Sequence, residues 1–136
     1  MAGYSGTPLL RKLGFKAPMT VLVAGAPPEY ASWLGELTPG LTFGSTAGPE
    51  IEAAHLFFTQ RVDLEKALRD LRGRLAQSGF LWVSWPKKSA KVPTDITEDV
   101  VREVALPLGF VDVKVCAVSE VWSGLKLVIR KSERSA

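Results

Sequence analysis

The sequence is poor in the residues that carry most side-chain chemistry. It has one cysteine, Cys116, and one histidine, His55. A single thiol excludes an intramolecular disulfide and fits a reducing cytoplasm. One cysteine and one histidine cannot supply the four ligands of a structural zinc site, so no metal centre is expected. Long apolar runs are missing too, the longest being strand-length against the roughly 20 residues of a membrane span. No basic stretch leads into an apolar core at Met1–Gly6, so no export signal is read there. Charge of one sign is not in excess. The net charge of +3 is too small to imply a nucleic-acid partner, and the basic residues are dispersed except at 87–91 and from Lys126 to Arg134. G-x-S-x-G, P-loop and H-E-x-x-H patterns do not occur.

What is present is ordinary globular material. The 136 residues are 46% apolar and 23% charged, the proportions of one soluble domain spanning 1–136. The most informative stretch is G-F-L-W-V-S-W-P, Gly79 to Pro86. An unbroken apolar run reads as a strand covered on both faces, typical of parallel sheets, and Pro86 ends it because proline cannot donate to the ladder. Lys87, Lys88 and Lys91 follow in the next loop, at the strand's carboxyl end, where open α/β sheets bind ligands.

Other elements follow from capping and periodicity. Thr7-Pro8 opens a short helix that Gly14 ends. Strands are expected at Val21–Ala24, at Leu41–Phe43 and, after a loop at 45–53, at Ala54–Thr59. Pro28–Leu34 reads as a helix with Trp33 inward. Leu64, Ala67, Leu68, Leu71 and Leu75 fall at helical spacing, with Gly79 as the C-terminal cap. Asp95 and Glu98 suggest a capping box for a helix buried through Ile96, Val100, Val101 and Val104 and ended by Pro107. Phe110–Val118 and Leu125–Lys131, joined by the six residues Ser119–Gly124, read as an antiparallel pair. The expected fold is α/β: a single open, mostly parallel sheet of order 2-1-3-4-6-5, strand 6 antiparallel, with helices on both faces. That outline resembles a shortened class I methyltransferase or Rossmann-like fold. The nine residues 45–53 are its tightest joint, since parallel crossovers usually need about a dozen.

Several blocks resemble a bacterial family of small proteins of unknown function. They are G-Y-S-G-T-P-L at 3–9, K-L-G at 12–14, W-V-S-W-P-K-K at 82–88, T-D-I-T-E-D-V-V-R-E-V-A-L-P-L-G at 94–109, V-D-V-K-V-C-A-V at 111–118 and W-S-G-L-K-L-V-I-R at 122–130. Two departures fall near the presumed ligand edge: Lys16-Ala17-Pro18-Met19-Thr20-Val21 replaces K-P-G-M-R-V, and Gly25-Ala26-Pro27 replaces N-A-P. The resemblance brings no established activity with it.

A methyltransferase of this outline would cradle S-adenosylmethionine on a glycine-rich turn after the first strand and hold the ribose with a carboxylate after the second. Here the first turn is Gly25-Ala26-Pro27-Pro28, and the second strand runs into Gly44-Ser45-Thr46. Prolines lack the N–H that such a cradle needs, so no cofactor is expected. His55 has no orienting partner legible in the sequence and is read as structural. Cys116 lies mid-strand, read as an inert core thiol. No catalytic residue is assigned. The ligand-binding residues expected at the carboxyl edge are Gly25, Ala26, Pro27, Thr59, Arg61, Trp85, Lys87, Lys88 and Trp122, the tryptophans as aromatic walls or anchors. They point to a cytoplasmic, non-catalytic domain that binds an anionic small molecule or a protein partner. The alternatives are a divergent S-adenosylmethionine-dependent methyltransferase and weak nucleic-acid binding through the basic loop and tail.

Overall fold

The computed structural model describes residues 9–35, 39–44 and 50–134. A six-stranded sheet has the order β2-β1-β3-β4-β6-β5, as the alternation of elements predicts. Its strands are β1 (Met19–Ala24), β2 (Leu41–Gly44), β3 (Ile51–Phe57), β4 (Leu75–Pro86), β5 (Phe110–Ala117) and β6 (Trp122–Ile129). The β2, β1, β3 and β4 strands are mutually parallel, and β6 runs antiparallel to both β4 and β5. Strand order therefore reverses at β1, with β2 on one side and β3 on the other. The link from β2 past β1 to β3 has only six residues, 45–50, of which Glu50 alone is described.

Helices cover both faces. Helices α1 (Leu9–Leu13) and α2 (Tyr30–Leu34) lie on one, and α3 (Arg61–Arg72) and α4 (Glu98–Ala105) on the other. Leu64, Leu68 and Leu71 of α3 and Val101, Val104 and Ala105 of α4 pack on Leu81, Val83, Leu125, Leu127 and Ile129. The opposite layer is aromatic: Phe15, Tyr30, Phe57 and Trp82 are buried there, with Trp33, Phe43, Phe80 and Trp122 packed around them. Trp82 has no exposed surface, and its indole N–H donates to the Leu13 carbonyl at 2.8 Å. Among the described residues no helix is long and apolar enough to cross a membrane.

Several boundaries differ from expectation. The Thr7-Pro8 start of the first helix lies outside the described residues. β3 begins at Ile51, inside the expected loop, and stops at Phe57. α3 ends at Arg72, with Gly73 at its C-cap, and Leu75 already belongs to β4. Leu75 fits helical spacing and strand burial equally, because it is 4% exposed in the same aliphatic core. Gly79 is thus within β4, not a helix cap. The register jumps there, Ile51 facing Leu75 and Ala53 facing Phe80, so two residues of β3 span five of β4. A Cβ on Gly79 would lie 2.9 Å from the Glu52 carbonyl oxygen, so glycine is needed where the displaced chain rejoins the ladder. Thr97, not Asp95, caps α4, its hydroxyl accepting from the Val100 amide. The β5–β6 link is only residues 118–121, which places Trp122 and Gly124 in a strand.

Candidate functional site

The carboxyl ends of β1, β3 and β4 form one edge, and the chain places most of the expected site residues along it. Gly25 follows β1 with φ +74°, and a Cβ there would lie 2.5 Å from the Phe57 carbonyl oxygen at the end of β3. Only glycine tolerates both the left-handed backbone and that approach. Ala26 packs into the aromatic layer, and the Pro27 carbonyl accepts from the Tyr30 amide at 3.0 Å, starting α2. Trp122 stands edge-on to Phe57 at 5.1 Å on this same face. Trp85 instead is buried in the α3–α4 layer. Alternate residues of a strand point to opposite faces, and Trp85 pairs with Ser123 next to Trp122. The two indoles are therefore divided by the sheet and do not wall one pocket.

The loop after β3 is tied to the segment before α4. The Thr59 carbonyl accepts from the Thr94 hydroxyl at 2.6 Å and from the Asp95 amide at 3.3 Å. The Asp95 carboxylate in turn accepts from the Arg61 amide at 2.7 Å. Asp95 thus caps α3, supplying the negative charge that a helix N-terminus favours. The Arg61 guanidinium pairs with Glu65 and Glu103. Past β4, the Lys87 amide donates to the Val121 carbonyl at 2.7 Å, and a 3₁₀ turn at Lys88–Ala90 closes on Lys91 at φ +57°. Lys88 and Lys91 are exposed.

Beside the Gly25 turn is a cavity of about 380 Å³ between α2 and the ends of β1 and β2. Val23, Phe43, Gly44, Tyr30, Ala31 and Leu34 line it. Behind its wall lies a polar chain that sequence reasoning left incomplete. The Tyr30 hydroxyl is 2.9 Å from His55 Nδ1, and the Ser84 hydroxyl is 2.8 Å from His55 Nε2. All three side chains are buried. Either hydroxyl can donate or accept, so one ring proton satisfies the whole chain. Burial pushes His55 down to about 3 and raises Tyr30 above its ordinary value. Both groups therefore stay neutral near pH 7. A signal for the pairing existed: each of the apolar runs at 54–58 and 80–85 carries one polar residue, and the β3–β4 register sets these diagonally. Tyr30 arrives from a separate helix, and no sequence spacing indicates it.

Against known proteins, the family model described as "Protein of unknown function (DUF3052)" matches residues 51–131, more than half of the chain. The chain belongs to the DUF3052 family. No curated protein matches it by sequence. Among solved structures it is similar to a SAM-dependent methyltransferase from Aquifex aeolicus, at 15% identity and TM-score 0.64, covering 89% of this chain and 87% of that one. It is also similar to the N-methyltransferase NodS from Bradyrhizobium japonicum, at 11% identity and TM-score 0.61, covering 90% and 93%. A third is the magnesium protoporphyrin IX methyltransferase of Synechocystis with bound SAH, at 10% identity and TM-score 0.60, covering 90% and 80%. At these identities the likeness establishes the methyltransferase-type fold.

That fold implies S-adenosylmethionine, and the residues here do not fit it. The space that Gly25 leaves is taken by the Phe57 carbonyl, not left open for a ligand. Pro27 and Pro28 offer no N–H. From Gly44 to Pro49 there is no acidic residue. Glu52 belongs to β3, and its carboxylate accepts from the Thr20 amide at 2.7 Å, at the amino edge of the sheet. Neither the stretch directly after β2 nor Glu52 supplies the carboxylate that a ribose diol at that end would need.

Proposed function

We propose that this DUF3052 protein is a non-catalytic binding domain that keeps a methyltransferase-type sheet and uses its carboxyl edge to hold a ligand. The observation that carries the reading is the cavity beside a turn lacking cofactor-binding groups: the Tyr30–Phe43 recess is apolar, and its one phenol is committed to His55. Apolar recesses with few polar groups are the usual form of small-molecule sites. Lys87 and Lys88 lie farther along the same edge, so a ligand or protein partner carrying negative charge is favoured there. The single thiol and the absence of a membrane-spanning helix among the described residues are consistent with a cytoplasmic setting.

The test is calorimetric titration with S-adenosylmethionine and S-adenosylhomocysteine up to about 1 mM. A ligand at 100 times its Kd should add about 2.7 kcal/mol of stability. No heat and no shift in melting temperature are expected, and a reproducible micromolar Kd would overturn the non-catalytic reading. It would favour the second reading, a divergent methyltransferase. That reading draws on the left-handed glycine directly after β1 and on the fold shared with enzymes of that class.

A further inference from the structure

The α1 face of the β5–β6 hairpin carries an arrangement that folding alone disfavours. Lys114 of β5 lies directly opposite Lys126 of β6, and like charges in cross-strand register are destabilising. Lys114 Nζ reaches the Lys12 carbonyl at 3.4 Å, which brings the last turn of α1 to the same place. The Lys126 ammonium stands 4.5 Å from the centroid of the Phe80 ring and close to Gly14. Every described ion pair is made by an arginine, so none of these three lysines pairs with a carboxylate among the described residues. The nearest acid along β5, Asp112, is engaged with Arg102 at 3.1 Å. The crowding has electrostatic consequences. Burial, and after it the charge of Lys114, lowers Lys126 from the ordinary lysine value. Burial raises the neighbouring Cys116 thiol, with Lys12 and Lys114 opposing that rise.

One helix carbonyl accepting from Lys114 leaves most of the nine ammonium N–H donors without a hydrogen-bond acceptor among the described residues. A stripe of cations along a groove would suit a nucleic-acid backbone. Three cations converging from three elements suit one compact anion, which would replace their mutual repulsion with charge-assisted hydrogen bonds. We propose that Lys12, Lys114 and Lys126 form a binding site for a small, multiply charged phosphate-type anion. The site is separate from the carboxyl edge: Lys126 pairs with Trp82, five residues back along β4 from Lys87.

The experiment is an amide-resolved NMR titration of the full chain with inorganic diphosphate, at ionic strength held constant with sodium chloride. Saturable shifts are expected at Lys12, Gly14, Lys114 and Lys126. The Lys114→Gln and Lys12→Gln variants, checked for a folded spectrum, should each bind about tenfold more weakly, the loss expected for one charge-assisted hydrogen bond. A Lys66→Gln variant, changed at an exposed position of α3 in the opposite helix layer, should bind as tightly as the parent. Shifts that grow linearly without saturating, or unchanged affinity in both glutamine variants, would overturn the site. A nucleoside diphosphate in a parallel titration separates the sources: equal affinity supports a free phosphate as the ligand, and tighter binding supports a phosphate ester.

Discussion

The two faces of the sheet are held by different means. The α3–α4 face is aliphatic, with leucines and valines at helical spacing meeting Leu81, Val83, Leu125, Leu127 and Ile129. The α1–α2 face is aromatic and laced with buried hydrogen bonds: Tyr30–His55–Ser84, and Trp82 to the Leu13 carbonyl. Nondirectional burial tolerates repacking, whereas a satisfied polar chain in an apolar layer specifies one arrangement and is costly when a member is lost. The candidate cavity opens on the second face. One wall of that recess is Tyr30, whose ring is fixed by its hydrogen bond to His55, which defines the shape of the recess more sharply than aliphatic packing alone would.

The largest test of this contrast is Trp82→Ala. It should cost about 3–5 kcal/mol, a large share of a typical stability of about 5–15 kcal/mol, because it opens a cavity and strands the Leu13 carbonyl. Leu68→Ala on the aliphatic face should cost about 2–5 kcal/mol without unpairing any polar group. Denaturant unfolding of both variants decides, and an unchanged midpoint for Trp82→Ala would break the comparison.

Acid should act through the aromatic face. His55 is held near 3 when folded and titrates near 6.5 when unfolded. Below pH 6.5 the unfolded chain gains a proton that the folded chain refuses. The stability that neutral His55 contributes is therefore complete above 6.5 and is lost as pH falls toward 3, by up to about 1.4 kcal/mol per unit. Unfolding curves from pH 7 to 5 should show this slope, and His55→Phe should flatten it, whatever its absolute stability. An identical slope in the variant would assign the effect to other groups.

Ser84→Ala should cost about 1–3 kcal/mol, the penalty of an unsatisfied buried ring nitrogen, read as a lower melting temperature. A neutral result would mean that the pair with His55 contributes nothing. At the edge that belongs to neither face, Lys87→Ala with Lys88→Ala should change stability by no more than about 0.5 kcal/mol while abolishing binding of an anionic ligand there. A loss of several kcal/mol would make these lysines structural.

Sequence determined the parts of this protein that depend on local pattern. The Leu64–Leu71 periodicity placed α3, the G-F-L-W-V-S-W-P run placed the central strand, and alternation with a short final link led to the order 2-1-3-4-6-5. These signals work because period and turn length act between neighbours in the chain. Leu75 and Gly79 were misread for the same reason: an apolar residue at helical spacing and a glycine after it look alike in a helix end and in a displaced strand. Tertiary structure alone decided the rest. It put Trp85 and Trp122 on opposite faces, bound Thr59 and Arg61 to Thr94 and Asp95, and brought Tyr30, His55 and Ser84 into one chain. It also converged Lys12, Lys114 and Lys126 on one corner. Each of these depends on register and on the packing of separate elements against one another, which no local spacing encodes.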